Sequence, residues 1–266
     1  MSKKLCILDY VGSLYNGTAI FENAKNLISA LQSKNFDIII LSNSPLYSKQ
    51  TIINELQKSG ITDLSNVQVY PISLLASLQL HQDHQQKLFC ICDDLLKEEL
   101  KSNGFEILRS EDHNQVSIEE VPLIDGVDAV VVSIDHQFNT FKAGLATRYV
   151  IEKKTNFYSV GGDRRFKENG HFYPGSFTLA TSIETPSFKS PVIIGKPNVD
   201  NVKLAFDFTK YQDIIVIGDN VDTDIEFGRK IGAKTFLVMT GSADRNDNMD
   251  NIDFVCKDLA EVVNKL

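Results

Sequence analysis

Four short apolar runs in this chain end in the same way, and that repetition constrains the fold more than any other feature. Leu5-Cys-Ile-Leu8 runs into Asp9, Ile38-Ile-Ile-Leu41 into Ser42, Val192-Ile-Ile194 into Gly195-Lys196, and Ile214-Ile-Val-Ile217 into Gly218-Asp219. Each run has the length and β-branched content of a strand buried on both faces, as in a parallel sheet. Each then meets a breaker: Gly12, Pro45, Pro197 or Gly218. A polar residue at the carboxyl end of a parallel strand stands where open α/β sheets bind their ligands. Taken singly, these residues are ordinary: Asp9 starts a turn, Ser42 and Asp224 start helices, and Lys196 is a turn lysine. The ordered set points to a common rim.

The intervening chain alternates as an α/β protein should. Residues 22–35 carry Ala24, Leu27, Ile28 and Leu31 at helical spacing. A second helix is expected over 48–59, closed by Gly60 as C-cap. A weaker strand at 67–70 and a helix-like stretch at 74–80 lead to a polar block at 81–87. His81 and His84 stand three apart there, in a glutamine-rich stretch that reads as a solvated hinge or loop rather than a metal site. The pattern then restarts, with strands at 88–92, 106–108, 129–133 and 157–160, helices at 93–103 and 141–152, and a polar loop at 110–115. That is about a hundred residues, enough for a small domain. A glycine- and proline-bearing stretch at 170–175 and a loop at 185–191 bring the chain back to the strand before Lys196. A helix at 198–209 follows, then one capped by Asp222 or Thr223 that runs to about Ile231. A strand at 235–239 and a helix at 259–266 finish the chain.

Composition narrows the function. A hydrophobic fraction of 42% with 23% charged residues is ordinary for a soluble globular protein with a real core. The only apolar run near Met1 is four residues long, so no signal peptide is expected, and no run approaches the roughly 20 residues of a membrane span. The expected location is therefore the cytoplasm. The formal charge of −8 argues against nucleic-acid and anionic-membrane partners. It is compatible with a small phosphorylated metabolite, since one local cation and a metal can reverse the field in a pocket, and it leaves a homodimer open. Cys6, Cys90, Cys92 and Cys256 lack metal-ligand spacing and read as small core fillers.

Two or three carboxylates and a lysine on one rim are the parts for holding Mg²⁺ and a phosphoryl group together. In order and spacing, these segments resemble the four motifs of the haloacid dehalogenase-like superfamily. The chain looks most like its class IIA phosphatases, through Gly218-Asp219-Asn-Val-Asp-Thr223-Asp224-Ile225, Ala233-Lys-Thr235 and Thr240-Gly241. Phe172-Tyr-Pro174-Gly175 ahead of Ile194-Gly195-Lys196-Pro197 adds to the likeness. The resemblance implies a Rossmann-like parallel-sheet core, helices on both faces, at residues 1–83 and 188–266. An α/β cap of the C2 type would be inserted at 84–187. It further implies Asp9 as the nucleophile forming an aspartyl-phosphate, with Ser42 and the Asn43 amide on the phosphoryl oxygens. Lys196 would neutralise charge between Asp9 and the phosphate. Asp9, Asp219, Asp224 and the backbone carbonyl of Val11 would hold or support Mg²⁺.

Two departures accompany the match. The superfamily's first motif carries a second aspartate two residues after the nucleophile, as general acid and base, and here that residue is Val11. Such a role contributes about 10²–10⁴-fold. Tyr10 points the other way in an extended segment, so it is a poor substitute, and a cap residue such as His136 could relay protons. Val160-Gly161-Gly162-Asp163 stands where the class has Thr-Asn-Pro-Asp. Two readings follow: a phosphatase of reduced activity, or a weak or inactive phosphate-ligand-binding or regulatory protein on the same fold.

Overall fold

The computed structural model describes residues 3–109, 117–118, 120–168, 170–244 and 246–266. The polar loop expected at 110–115 lies outside them. Along the chain come β1 (Lys4–Leu8), α1 (Ala24–Ser33), β2 (Phe36–Ser42), α2 (Lys49–Lys58), β3 (Val67–Pro71) and α3 (Ile72–Gln82). Next are β4 (Lys87–Ile91), α4 (Asp94–Ser102), β5 (Glu106–Arg109), β6 (Ala129–Val132), α5 (Thr140–Glu152) and β7 (Asn156–Val160). A hairpin of β8 (Arg165–Glu168) and β9 (His171–Pro174) precedes α6 (Ser176–Ser187) and β10 (Val192–Ile194). The chain closes with α7 (Val199–Ala205), β11 (Asp213–Gly218), a π-helical turn Val221–Ile225, α8 (Glu226–Lys230), β12 (Lys234–Val238), β13 (Phe254–Cys256) and α9 (Leu259–Lys265).

The first sheet is all parallel, in the order β13-β12-β11-β1-β2-β3. Its strands are apolar on both faces because helices cover both. Leu5 and Ile7 of β1 face α3 and α7, while Cys6 and Leu8 face α1, α2 and α9. The second sheet, also parallel, runs β10-β7-β6-β4-β5. Phe89 and Ile91 of β4 pack toward α5 and α6, whereas Leu88 and Cys90 belong to the same buried cluster as Leu5, Ile7 and the apolar face of α3. The two sheets therefore share one core through α3 and α7. Each fully buried Leu or Ile in it is worth about 1.5–3 kcal/mol of transfer from water, so Ile7→Ala should cost about 2–5 kcal/mol. All four cysteines are free and buried, as core fillers should be.

Several local expectations change. The strand before Lys196 was expected on the first sheet, but β10 pairs with β7 in the second. A three-residue Val-Ile-Ile run has no feature that tells one apolar sheet edge from another. Within the stretch at 170–175, His171–Pro174 pairs with Arg165–Glu168 as an antiparallel hairpin. α6 extends to Ser187 with Pro186 inside it, so the returning loop begins only at Phe188. His81 is not in a solvated hinge but lies within α3, stacked on Phe105, with a ring nitrogen 3.1 Å from the Asn103 carbonyl oxygen. No helix among the described residues is long and apolar enough to cross a membrane.

Candidate active site

Register places the first two acids. β1 and β11 are neighbours with Leu8 opposite Ile217, and the Asp9 N–H extends the ladder to the Ile217 carbonyl at 2.9 Å. Asp9 and Asp219 thus emerge side by side at the carboxyl ends of adjacent strands. Asp224 joins them because the chain turns back tightly after β11. A Cβ on Gly218 would lie 2.2 Å from the Asp224 side chain, so only glycine permits the fold-back. Asp224 Oδ2 accepts from the N–H groups of Asp219 and Asn220, each at 3.1 Å. The side chain capping this turn is Asn220, which accepts from the Asp222 N–H at 2.9 Å. Neither Asp222 nor Thr223 caps it, because the helix starts two residues earlier, as a π turn.

Asp9, Asp219 and Asp224 are buried, and each offers an oxygen within 4.8 Å of the other two. Asp219 Oδ2 accepts from the Ser242 N–H at 2.6 Å and the Ser242 hydroxyl at 2.8 Å. Its Oδ1 receives only a long contact, from Ser13 Oγ at 3.5 Å. Two glycines let the surrounding loops close on this carboxylate. A Cβ at Gly12 or Gly241 would sit 2.3 or 2.0 Å from Asp219 Oδ2.

Lys196 enters from the second sheet's edge strand rather than from the first sheet. Its Nζ lies 2.6 Å from Asp9 Oδ1 and 2.7 Å from Asp224 Oδ1, with the residue 1% exposed. Asn43 fixes it: Asn43 Oδ1 accepts from the Lys196 N–H at 2.9 Å, and Nδ2 donates to the Lys196 carbonyl at 2.9 Å. The Asn43 side chain is thus committed to the Lys196 backbone. Ser42 ends β2 as a buried residue, and its hydroxyl accepts from the Ser44 N–H at 3.2 Å.

Charge is poorly balanced here. Burial pushes Asp9 up to about 7, against the pull of Lys196. Asp219 and Asp224 rise to about 6, burial again leading, with Asp224 adding to the first and Lys196 opposing the second. For Lys196, burial works to lower the pKa, but the charges of Asp224 and Asp9 outweigh it and hold the ammonium above its usual range. Three carboxylates facing one ammonium suit a hard divalent cation with oxygen ligands. The Val11 carbonyl accepts from no backbone N–H among the described residues.

A cavity of about 80 Å³ lies over these groups, with Asp9, Val11, Asp219 and Asp224 in its wall. Asp163 also lines it, a residue that the motif reading noted without giving it a role. Its Oδ2 accepts from Asn43 Nδ2 at 3.0 Å, and its Oδ1 from Asn220 Nδ2 at 3.2 Å and Thr223 Oγ1 at 3.4 Å. The next residues continue this contact: Arg164 pairs with Asp222 at 3.5 Å, and Arg165 with Asp247 at 2.9 Å. His136 pairs with Asp93, its Nδ1 2.5 Å from Asp93 Oδ2, and it does not line this cavity, so the structure gives its proton-relay expectation no support.

With this geometry in hand, comparison with known proteins is informative. Residues 6–106 match a family model for haloacid dehalogenase-like hydrolases, and residues 193–262 match a HAD-hydrolase-like model. Phosphoglycolate phosphatase 2 of Arabidopsis thaliana is 24% identical over 261 residues, covering 92% of this chain and 85% of that protein. The p-nitrophenyl phosphatase from Archaeoglobus fulgidus superposes with a TM-score of 0.77 at 22% identity, each chain fully covered. A glycerol phosphate phosphatase from Mycobacterium tuberculosis in complex with magnesium gives 0.74 at 17% identity, covering 98% of this chain and 76% of that one.

Proposed function

This chain belongs to the haloacid dehalogenase-like hydrolases, among the class IIA phosphatases, and on that premise we propose that it hydrolyses small phosphorylated metabolites with Mg²⁺, through an aspartyl-phosphate on Asp9. The observation that carries this reading is the buried Lys196 ammonium held between Asp9 and Asp224, with an Asp219 oxygen within 4.8 Å of both acids. A purely structural ion pair would need one acid, not three.

In the first step an Asp9 carboxylate oxygen attacks phosphorus, a new phosphorus–oxygen bond forms, and the bond to the alcohol oxygen breaks. Lys196 favours the ionised form of Asp9 against the upward push of burial and would compensate charge on the phosphoryl oxygens, beside the Ser42 hydroxyl and the Asn43 N–H. Asp9, Asp219, Asp224 and the Val11 carbonyl would hold Mg²⁺, which when bound supplies positive charge for the phosphoryl oxygens and relieves repulsion among the acids. In the second step water attacks the aspartyl-phosphate, releasing phosphate and restoring the carboxylate. That water needs a base, and Val11 offers none, so turnover should be slow.

The missing acid also supports a second reading, a phosphate-binding or regulatory protein with little turnover. Steady-state release of nitrophenol from nitrophenyl phosphate separates the two. Mg²⁺-dependent release above the uncatalysed rate supports the enzyme. Binding of phosphate without release supports the alternative.

A further inference from the structure

One acid in the wall of the 80 Å³ cavity has no part in the two chemical steps. Asp163 lines that cavity together with Asp9, Asp219 and Asp224, yet it lies outside the three-acid cluster. A second cavity, of about 270 Å³, adjoins the first along Val11, Gly12, Lys167 and Gly241, and Asp163 is absent from its wall. Asp163 therefore belongs to the phosphoryl end rather than to the neighbouring opening. Its side-chain hydrogen bonds run to neutral groups, on Asn43, Asn220 and Thr223.

Two of those partners are amides, and each has its other end on the reacting machinery. Asn43 gives Nδ2 to Asp163 Oδ2 at 3.0 Å and to the Lys196 carbonyl at 2.9 Å, while its Oδ1 accepts from the Lys196 N–H. Asn220 gives Nδ2 to Asp163 Oδ1 at 3.2 Å, and its Oδ1 accepts from the Asp222 N–H in the turn that carries Asp224. A carboxylate can only accept, whereas an amide can present either end. Asp163 therefore requires Nδ2 of both amides to face it, which turns both Oδ1 atoms toward the backbone N–H groups they receive. With either amide reversed, donor would face donor and oxygen would face carboxylate. The backbone permits this close approach. Val160 of β7 pairs with Ile194 of β10, and the Gly161 N–H continues the ladder to the Ile194 carbonyl at 3.1 Å, so Asp163 and Lys196 leave neighbouring strands together. A Cβ at Gly162 would lie 2.7 Å from the Lys196 carbonyl oxygen, and one at Gly195 would lie 2.5 Å from Asn43 Oδ1.

From these contacts we propose that Asp163 is a positioning residue for the reaction: by fixing the two amides, it sets the Lys196 ammonium and the turn carrying Asp224 in register across the two sheets. The inference rests on the reading of Lys196 and the three acids as the phosphoryl and metal site. Loss of Asp163 should then weaken two ligands at once, phosphate through Lys196 and Mg²⁺ through Asp224. A contact that merely tied the sheets together would alter neither affinity.

The test measures binding, so it does not depend on turnover. Calorimetry would follow Mg²⁺, and then inorganic phosphate with Mg²⁺ present, on wild type, Asp163→Ala, Asp163→Asn and a control, Asp247→Ala. Asp247 holds the neighbouring hairpin through Arg165 and lines neither cavity. Both Asp163 variants should bind each ligand at least about tenfold more weakly, the low end of the range for groups that orient ligating side chains. Asparagine fills the same space as aspartate but turns an N–H toward one of the two amides, so it should be no better than alanine. Asp247→Ala should bind both ligands as wild type does. Wild-type affinity for either ligand in both variants, its recovery by asparagine alone, or an equal loss in Asp247→Ala overturns the proposal. So does unfolding of both variants in a thermal melt below room temperature, which would make Asp163 a residue of the fold. Nitrophenol release by wild type, with binding unaltered in the Asp163 variants, sinks this inference alone. An Asp163-dependent affinity without release by wild type sinks the phosphatase reading alone, and failure of wild type to bind either ligand sinks both.

Discussion

Replacing Val11 with aspartate tests the chemistry where this chain departs from its family. Val11 is half-buried, lines both cavities, and bridges to Tyr15, so an aspartate of nearly the same volume should be accommodated. Taking a separation of about 6 Å and an effective dielectric of about 20, its repulsion with Asp9 is roughly 3 kcal/mol. That would raise the new carboxyl by about two pH units, toward the range suited to general acid–base work near neutrality. Steady-state turnover of nitrophenyl phosphate should rise at least about tenfold, within the roughly 10²–10⁴ such a group contributes. Wild type should instead release a burst of at most about one equivalent of nitrophenol and then turn over slowly, because the leaving group departs unaided while the second step lacks a base. Alkyl phosphates should be slow even in the first step. Without Mg²⁺ the variant should melt several degrees lower from the added repulsion, at about 2–4 °C per kcal/mol for a chain of this class. Stopped-flow and steady-state measurements on both proteins at matched Mg²⁺ decide it. A wild type without a burst, turning over as fast as a folded Val11→Asp protein, would refute the reasoning.

Other outcomes follow from the same geometry. Mg²⁺ at about 100 times its dissociation constant should stabilise wild type by about 2.7 kcal/mol, and Asp219→Asn should lose most of that shift; equal shifts in a thermal melt would contradict it. In metal-free protein, burial raises Asp9 to about 7 and Asp219 and Asp224 to about 6. The folded state then binds more protons than the unfolded between about pH 4 and 7, so this cluster's contribution to stability falls as pH rises through that window. Asp219→Asn should flatten that fall by roughly 3 kcal/mol, and parallel stability-versus-pH curves for the two proteins would count against it. Gly241→Ala puts a Cβ 2.0 Å from Asp219 Oδ2, so calorimetry should show Mg²⁺ affinity at least about tenfold lower, and an unchanged affinity would contradict the placement. Asp247→Ala unties Arg165 and should speed tryptic cleavage in the β8–β9 hairpin; an unchanged rate would mean that the pair does not hold it.

The sequence disclosed this site unevenly, for physical reasons. Asp9 and Asp219 were legible because a buried parallel strand is a continuous apolar run, and its end is marked by the first polar residue. Lys196 was legible as a site residue but not in its origin, since Val192–Ile194 reads equally well as an edge of either sheet. The role of Asn43 was half visible. That its side chain holds the Lys196 backbone depends on a contact across 153 positions, which local pattern cannot show. Asp163, Ser13 and Ser242 contribute through similar long-range bonds. The hairpin was missed because its glycine and proline signal a turn, while the alternation of Arg165, Phe166 and Lys167 is too short to assert a strand. The shared core of α3 and α7 was also hidden, because a helix apolar on two faces shows no clean stripe.

Asp9 is proposed to carry the phosphoryl group during turnover. Acid-quenching the wild type during reaction with nitrophenyl phosphate and Mg²⁺, then mapping the protein by mass spectrometry, tests it most directly. One phosphoryl adduct is expected on the peptide containing Asp9, absent without Mg²⁺ and absent in Asp9→Asn. Nitrophenol release with no adduct on that peptide, undiminished in Asp9→Asn, would contradict it.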